Sequence, residues 1–269
     1  MPAPYKLDFA LAGSLRGFLK DLGGAELKRL RLRPVSYQAG DLLCRRNDRN
    51  SEVVFLQSGV AALMCTLENG KTVASCHTSA QSVTNIAPVV GATACEHDAV
   101  MLLGGWGYAC AAQDAALEFR RGELFQRLLL QFLTLQLSEL ARIVGCVSRH
   151  SVQERLCSCL LMLLDATGSS DLQIGVPALA SSIGATPQAV SLACDLLENK
   201  GALLRTPGNV KLLSIAMLED TACACSPPAA RLTRHVLSSE ASGKIRSARG
   251  LKRSLDQMKI ADSPREYVN

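Results

Sequence analysis

Val176-Pro-Ala-Leu-Ala-Ser-Ser-Ile-Gly-Ala-Thr-Pro-Gln-Ala-Val-Ser-Leu-Ala-Cys-Asp195 is the stretch that decides the reading of this chain. Leu179 and Ile183 stand four residues apart, Ala180 is small where two helices cross, and Gly184 sits where the chain must turn sharply. Thr186-Pro187 then reads as an N-cap followed by a first-turn proline, with Val190, Ala193, Cys194 and Leu197 as a second apolar face. Two short helices at a steep angle are predicted. Gly201 ends the second, and Leu203-Leu204-Arg205-Thr206 and Val210-Lys211-Leu212-Leu213 flank Pro207-Gly208-Asn209 as the arms of a hairpin. A helix pair followed by a hairpin is a winged helix, whose second helix enters a DNA major groove. The competing reading is two packed helices of an unrelated α-helical domain.

Upstream, Ser151-Val152-Gln153-Glu154 matches a capping box that opens a helix running to about Ala166, before Gly168. Before it, Glu123 to Val147 predicts a helix about 37 Å long. This helix carries two apolar stripes, Phe125/Leu128/Phe132/Leu135 and Leu129/Leu133/Leu137/Leu140/Val144/Val147. One stripe docks on a domain and the second meets the same helix of another subunit, so a homodimer is expected through Leu129, Leu133, Leu137, Leu140 and Val144. The alternative is a helix buried within one chain. Residues 34–119 read as short strands broken by turns: Val35 to Cys44 around Gly40-Asp41, Val53 to Leu56, Val60 to Leu67, and Thr72 to Cys76 after Asn69-Gly70. Such spacing suggests a β-sandwich or jelly roll, with Glu26 to Leu32 as a short helix in front.

Composition narrows the function. The chain has 269 residues, is 48% hydrophobic, and has a net charge of +5. That charge is uneven, because residues 226–269 hold nine Lys or Arg against four Asp or Glu, leaving the rest neutral. This Ser-rich segment follows Pro227-Pro228 and reads as a largely disordered basic arm that either touches DNA or merely solubilises the chain. No signal peptide or uninterrupted apolar span is evident, so a cytoplasmic protein with no membrane partner is expected. Eleven cysteines, odd in number and dispersed among apolar neighbours, read as reduced core residues. Cys157/Cys159 and Cys223/Cys225 are C-x-C pairs whose thiols would point apart on a helix, so no metal site is expected. His77, His97, His150 and His235 show no metal-ligand spacing, and no phosphate loop or nucleophile elbow appears. An enzyme is not expected; Cys95 and His97 are close in sequence, but a catalytic pair needs geometry that sequence does not give.

Taken together, Tyr37-x-x-Gly40-Asp41, the run Val53-Val54-Phe55-Leu56-Gln57-Ser58-Gly59-Val60, the long helix, and Leu179-Ala180-x-x-Ile183-Gly184 with Val190, Leu196-Leu197 and Gly201 resemble the Crp/Fnr family of bacterial transcription regulators. The resemblance covers roughly residues 25–220. It implies an α+β fold: an N-terminal antiparallel β-roll of cyclic-nucleotide-binding type, a long dimerisation helix, and a C-terminal winged helix-turn-helix. The chain then divides into a lead of residues 1–24, the β-roll at 25–122, the dimer helix at 123–148, the winged helix at 149–219, and a tail at 220–269. The Cys223-x-Cys225 ending also looks like one branch of the family. Implied partners are double-stranded DNA, a second copy of the chain, and RNA polymerase.

Two departures from the family pattern shape the expected function. Members that hold cyclic AMP grip its phosphate with a Gly-Glu pair and an Arg-Ser or Arg-Thr pair. Here Lys71 is the single Lys or Arg between Arg49 and Arg120, and Gln81 to Met101 contains no arginine and no Gly-Glu pair. Cyclic-nucleotide control is therefore not expected, no cofactor is expected, and the effector is unidentified. Cys44, Cys65, Cys76, Cys95 and Cys110 are spread along predicted strands, which argues against an iron-sulfur cluster. On the DNA side, the recognition helix lacks the family's arginines, and residues 149–219 hold five Lys or Arg against six Asp or Glu. The expected DNA-contacting set is Thr186, Gln188, Ala189, Ser191 and Leu192 on the helix, with Lys200, Arg205 and Lys211 on phosphates. The alternative is a degenerate relative that serves as a dimeric interaction scaffold without base readout.

Overall fold

The computed structural model describes residues 17–48, 52–70, 72–79 and 82–225. The basic arm expected at 226–269 and the first part of the N-terminal lead lie outside them.

Two four-stranded antiparallel sheets form the N-terminal half. The first is ordered β1 (Arg33–Tyr37), β8 (Gly105–Ala111), β3 (Glu52–Leu56), β6 (Val83–Thr84). The second is ordered β2 (Leu42–Cys44), β7 (Asp98–Leu103), β4 (Val60–Thr66), β5 (Thr72–Ser79). The chain crosses between sheets at tight glycine turns: Gly59, between β3 and β4, has φ +83°, and Gly40, between β1 and β2, has φ +91°. Only a residue without Cβ adopts such φ without strain. Leu43, Val54, Leu56, Ala61, Leu63, Cys76, Ala99, Met101 and Ala109 fill the space between the sheets. This is the expected β-roll. Its closing strands β7 and β8 come from an apolar, Gly-rich run whose pairing periodicity alone does not reveal.

A short 3₁₀ helix (Gly17–Asp21) and α1 (Gly24–Leu30) precede the roll, and α2 (Ala112–Arg120) follows it. Arg29 of α1 holds the buried Glu118 of α2 in a two-pronged ion pair at 2.6 Å. The helix α3 (Leu124–Arg149) then leaves the roll. Phe125 at its start meets Phe18 edge-on, with centroids 5.3 Å apart, and lies 6.4 Å from Phe55. Leu128 and Leu129 are buried beside it in sequence.

Helix α4 (Val152–Thr167) opens on the expected capping box, in which Ser151 and Glu154 each accept the other's backbone N–H, and it ends at Gly168 in the left-handed region. Then come β9 (Asp171–Leu172), α5 (Val176–Ile183), α6 (Pro187–Asn199), β10 (Leu203–Thr206), β11 (Asn209–Leu212) and α7 (Ile215–Thr221). The hairpin β10–β11 closes through Pro207-Gly208, with β9 as a third strand. α7 extends the helical part past residue 219 and packs on α4. A single apolar cluster runs from Leu156, Leu160 and Leu163 of α4 through Leu179, Ile183, Val190 and Leu197 to Val60, Ala62 and Ala74 of the roll. The first helix of the pair, α5, lies on β5.

Candidate nucleic-acid interface

The turn between α5 and α6 is built from local chemistry. Gly184 caps α5 at φ +63°, and the Ala185 N–H returns to the Ala180 carbonyl at 3.0 Å, so the carbonyls at the helix end are satisfied. The Thr186 hydroxyl accepts the Ala189 N–H at 3.2 Å and Pro187 occupies the first turn of α6. Val190, Ala193, Cys194 and Leu197 fix the rotation of α6 by facing the core. The opposite face therefore turns outward, carrying Gln188, Leu192, Asp195, Leu196 and Asn199. Leu192 is 66% exposed and Leu196 52%, an unusual load of bare leucine on a helix that otherwise follows the apolar-in rule.

The expected contact residues divide. Thr186, Gln188 and Leu192 are exposed at the outward N-terminal half of α6, with Ala189 and Ser191 half-buried beside them, and Lys200 and Lys211 are exposed. Arg205 is a correction. Its guanidinium folds back from the wing onto α6, donating to Glu198 Oε2 from Nε at 3.0 Å and from Nη2 at 2.8 Å, and it also pairs with Asp195. Its backbone N–H adds a bond to Glu198 Oε1 at 2.6 Å. Two carboxylates seven and ten residues back already hold the charge that phosphates were expected to take. Arg205 thus braces the β10–β11 hairpin against α6.

The bonds from Arg205 hold the Glu198 carboxyl below the usual carboxylate range. A carboxyl depressed in the folded state contributes stability above its unfolded value, near 4.3, and that contribution is lost as pH falls through the folded value. Replacing Glu198 with glutamine is therefore expected to cost about 1 kcal/mol at neutral pH, allowing for partial exposure. The difference should shrink as pH falls below the ordinary carboxylate range and through the lowered folded value, as read by denaturant melts across pH.

In the roll, the cysteines are less scattered than their spacing suggests. The buried Cys95 thiol hydrogen-bonds Cys44, and its Sγ lies 3.6 Å from His97 Nε2. The Cys44 bond and then His97 bring the Cys95 thiol below its ordinary value. It is fully buried, so it presents no surface to a substrate. The segment between β6 and β7, where the family holds its phosphate-gripping cassette, is a run of turns with no helix.

The expected dimer face needs one correction. Leu129 is 1% exposed and belongs to its own subunit's core, whereas Leu130, Leu137, Val144 and Val147 are 48%, 67%, 67% and 45% exposed. With the half-buried Leu133, and Leu140 that also packs against the roll's own core, the seam is 130, 133, 137, 140, 144, 147. The alternating steps of three and four are a heptad seam.

A CRP-family transcriptional regulator from Thermus thermophilus superposes with a TM-score of 0.63 at 15% identity, covering 72% of this chain and all of its own. The chain has the CRP/FNR fold. A CRP/FNR-fold regulator from Eubacterium rectale gives 0.62 at 14% identity, over 76% of this chain and 96% of its own. FixK2 from Bradyrhizobium japonicum, with the same fold, gives 0.59 at 16%, over 72% and 98%. No family model and no curated protein matches the sequence.

Proposed function

We propose that this protein is a dimeric, sequence-specific DNA-binding transcription regulator of the cytoplasm, with two α6 helices in successive major grooves and no response to cyclic nucleotides. The observation that carries the reading is the outward face of α6, on which Gln188 and Leu192 stand free at the N-terminal half where a recognition helix meets base edges. A glutamine amide pairs with adenine N6 and N7, and a bare leucine packs on a thymine methyl, so the half-site is expected to be A·T at those positions. The fold shared with transcriptional regulators from Thermus thermophilus and Eubacterium rectale supports the same role. The roll offers no lysine or arginine in the stretch where a cyclic nucleotide's phosphate would sit.

The heptad seam on α3 supports a second copy of the chain as partner. By length and composition that helix is also apolar enough to cross a bilayer. Its apolar residues form a stripe, however, and Gln131, Thr134, Ser138 and the Glu139–Arg142 ion pair occupy the other faces. A lipid-facing span is apolar all round.

Selection of sites from random duplex DNA by the full-length protein tests this reading. A two-fold symmetric motif is expected. Gln188→Ala should lose about 1–3 kcal/mol of discrimination at one base pair per half-site, and the repeated selection should relax there alone. The second reading, a dimeric scaffold without base readout, is favoured by Arg205 being occupied and by Asp195 lying on the outward face of α6. Recovery of no motif from a folded dimer would establish that reading in its place.

A further inference from the structure

Four side chains from two distant parts of the chain meet at one point. Cys146 and His150 lie one helical turn apart at the end of α3. Cys223 and Cys225 lie in the turn that follows α7. Their ligand atoms all stand within 4.8 Å of one another. Cys146 Sγ is 3.5 Å from Cys223 Sγ, and Cys225 Sγ is 3.5 Å from His150 Nδ1. A tetrahedral ion with thiolates at about 2.3 Å and an imidazole at about 2.0 Å sets its ligand atoms about 3.5–3.8 Å apart. The sulfur–nitrogen edge thus has the length a tetrahedron requires, and the sulfur–sulfur edge is short of it by about 0.3 Å, which a small side-chain shift supplies.

We propose that Cys146, His150, Cys223 and Cys225 bind one Zn²⁺ in a tetrahedral Cys₃His site that ties the end of α3 to the segment closing the winged helix. Soft thiolates with one imidazole suit zinc, and four protein donors leave no open position, so the site is structural. A polynuclear iron-sulfur cluster would hold its thiolates apart by its own width, which this spacing denies it.

The expectation that a C-x-C pair diverges holds for Cys157 and Cys159, which lie within α4. It fails at Cys223 and Cys225 because α7 ends at Thr221 and the chain turns back across α3 and α4. Contacts other than the metal pin that turn. Ser158 Oγ donates to the Cys223 carbonyl at 2.9 Å and lies 3.1 Å from its sulfur. Cys223 N–H reaches the Glu154 carbonyl at 3.5 Å. Arg142 donates to the Cys225 carbonyl, and its positive charge offsets the net −1 of three thiolates around a divalent ion. Because α3 also carries the exposed heptad seam, the metal fastens the winged helix to the element that would meet a second copy.

The full-length protein, purified under reducing conditions, should contain about one zinc per chain by elemental analysis. After removal by chelator, Co²⁺ uptake should give the tetrahedral d–d bands and thiolate charge-transfer absorption of a Cys₃His site. Cys225→Ser and Cys223→Ser should each lose the metal, while Cys65→Ser, at an exposed cysteine outside the cluster, should keep it. Circular dichroism of wild type shows that the tested protein is folded, so the cobalt spectrum decides even if a variant misfolds. Folded, reduced wild type that carries no zinc and shows no thiolate-cobalt band would overturn the proposal. So would full zinc content in Cys225→Ser or Cys223→Ser, or a Cys146–Cys223 disulfide found in the protein as isolated.

Discussion

Leu137→Glu is expected to yield a folded monomer whose affinity for an operator is lower by a factor on the order of 10²–10⁴. Leu137 is 67% exposed within one chain, so the substitution removes almost nothing from the subunit's own core. It lies at the middle of the seam formed by residues 130, 133, 137, 140, 144 and 147. Burying each such side chain against a second copy contributes about 1.5–3 kcal/mol. In a parallel pair related by a two-fold axis, residue 137 faces its own counterpart, so the variant sets carboxylate against carboxylate in an apolar seam. DNA affinity is expected to fall when dimerisation is lost, because two half-site contacts joined in one molecule act at high effective concentration. Sedimentation equilibrium and operator titration are the measurements; a variant that stays dimeric at micromolar concentration would place the interface elsewhere. Leu129→Ala, by contrast, should lower stability without altering the mass of the assembly, because that side chain is already buried at home.

Gly105→Val is expected to cost more than about 4 kcal/mol and to leave little folded protein. Gly105 begins β8, where the strand passes against the turn leading from β3 to β4. A Cβ there would fall on the Ser58 carbonyl and 2.7 Å from Gly59 Cα. Both obstacles are backbone, held by Gln57 and Ser58 N–H bonds to the Trp106 carbonyl at 2.9 and 3.1 Å, so neither can rotate aside. Gly107 is similarly confined, with Phe55 O 2.5 Å from its would-be Cβ. The control is Gly145→Ala, exposed in the C-terminal part of α3 with nothing within 4 Å. Removing a helical glycine there should stabilise by about 0.5–1 kcal/mol. Thermal melts of the two variants should therefore move in opposite directions, and a mild effect at Gly105 would mean that β8 sits farther from the turn.

The elements legible in advance are those specified within a few residues of themselves. Ser151 with Glu154, Thr186 with Pro187, and the glycines at 168, 184, 201 and 208 mark caps and turns by their own hydrogen bonding and φ preferences, and each stands where its chemistry requires. The first strands of the roll were legible for the same reason, bounded as they are by Gly40, Gly59 and Gly70. β7, β8 and α2 were not. Residues 99–112, from which β7 and β8 come, are mostly small and apolar with no clean alternation, and short apolar runs of that kind suit a buried strand or a buried helix equally.

Composition and local pattern thus determined, from the sequence alone, the order of a roll, a long helix and a winged helix, because caps, turns and periodicity act over three to seven residues. Which side chain does what was decided by tertiary structure. Helical spacing cannot say whether Leu129 or Leu130 faces outward, since both lie near one stripe; packing of Phe125 and Leu128 sets the rotation. Arg205 reads as a free cation until the wing folds back and brings it to Glu198 and Asp195. Cys146 and Cys223 are 77 residues apart, and no local rule joins them. Electrostatic pairing and ligand geometry depend on distances between elements, and those distances exist only once the elements have packed.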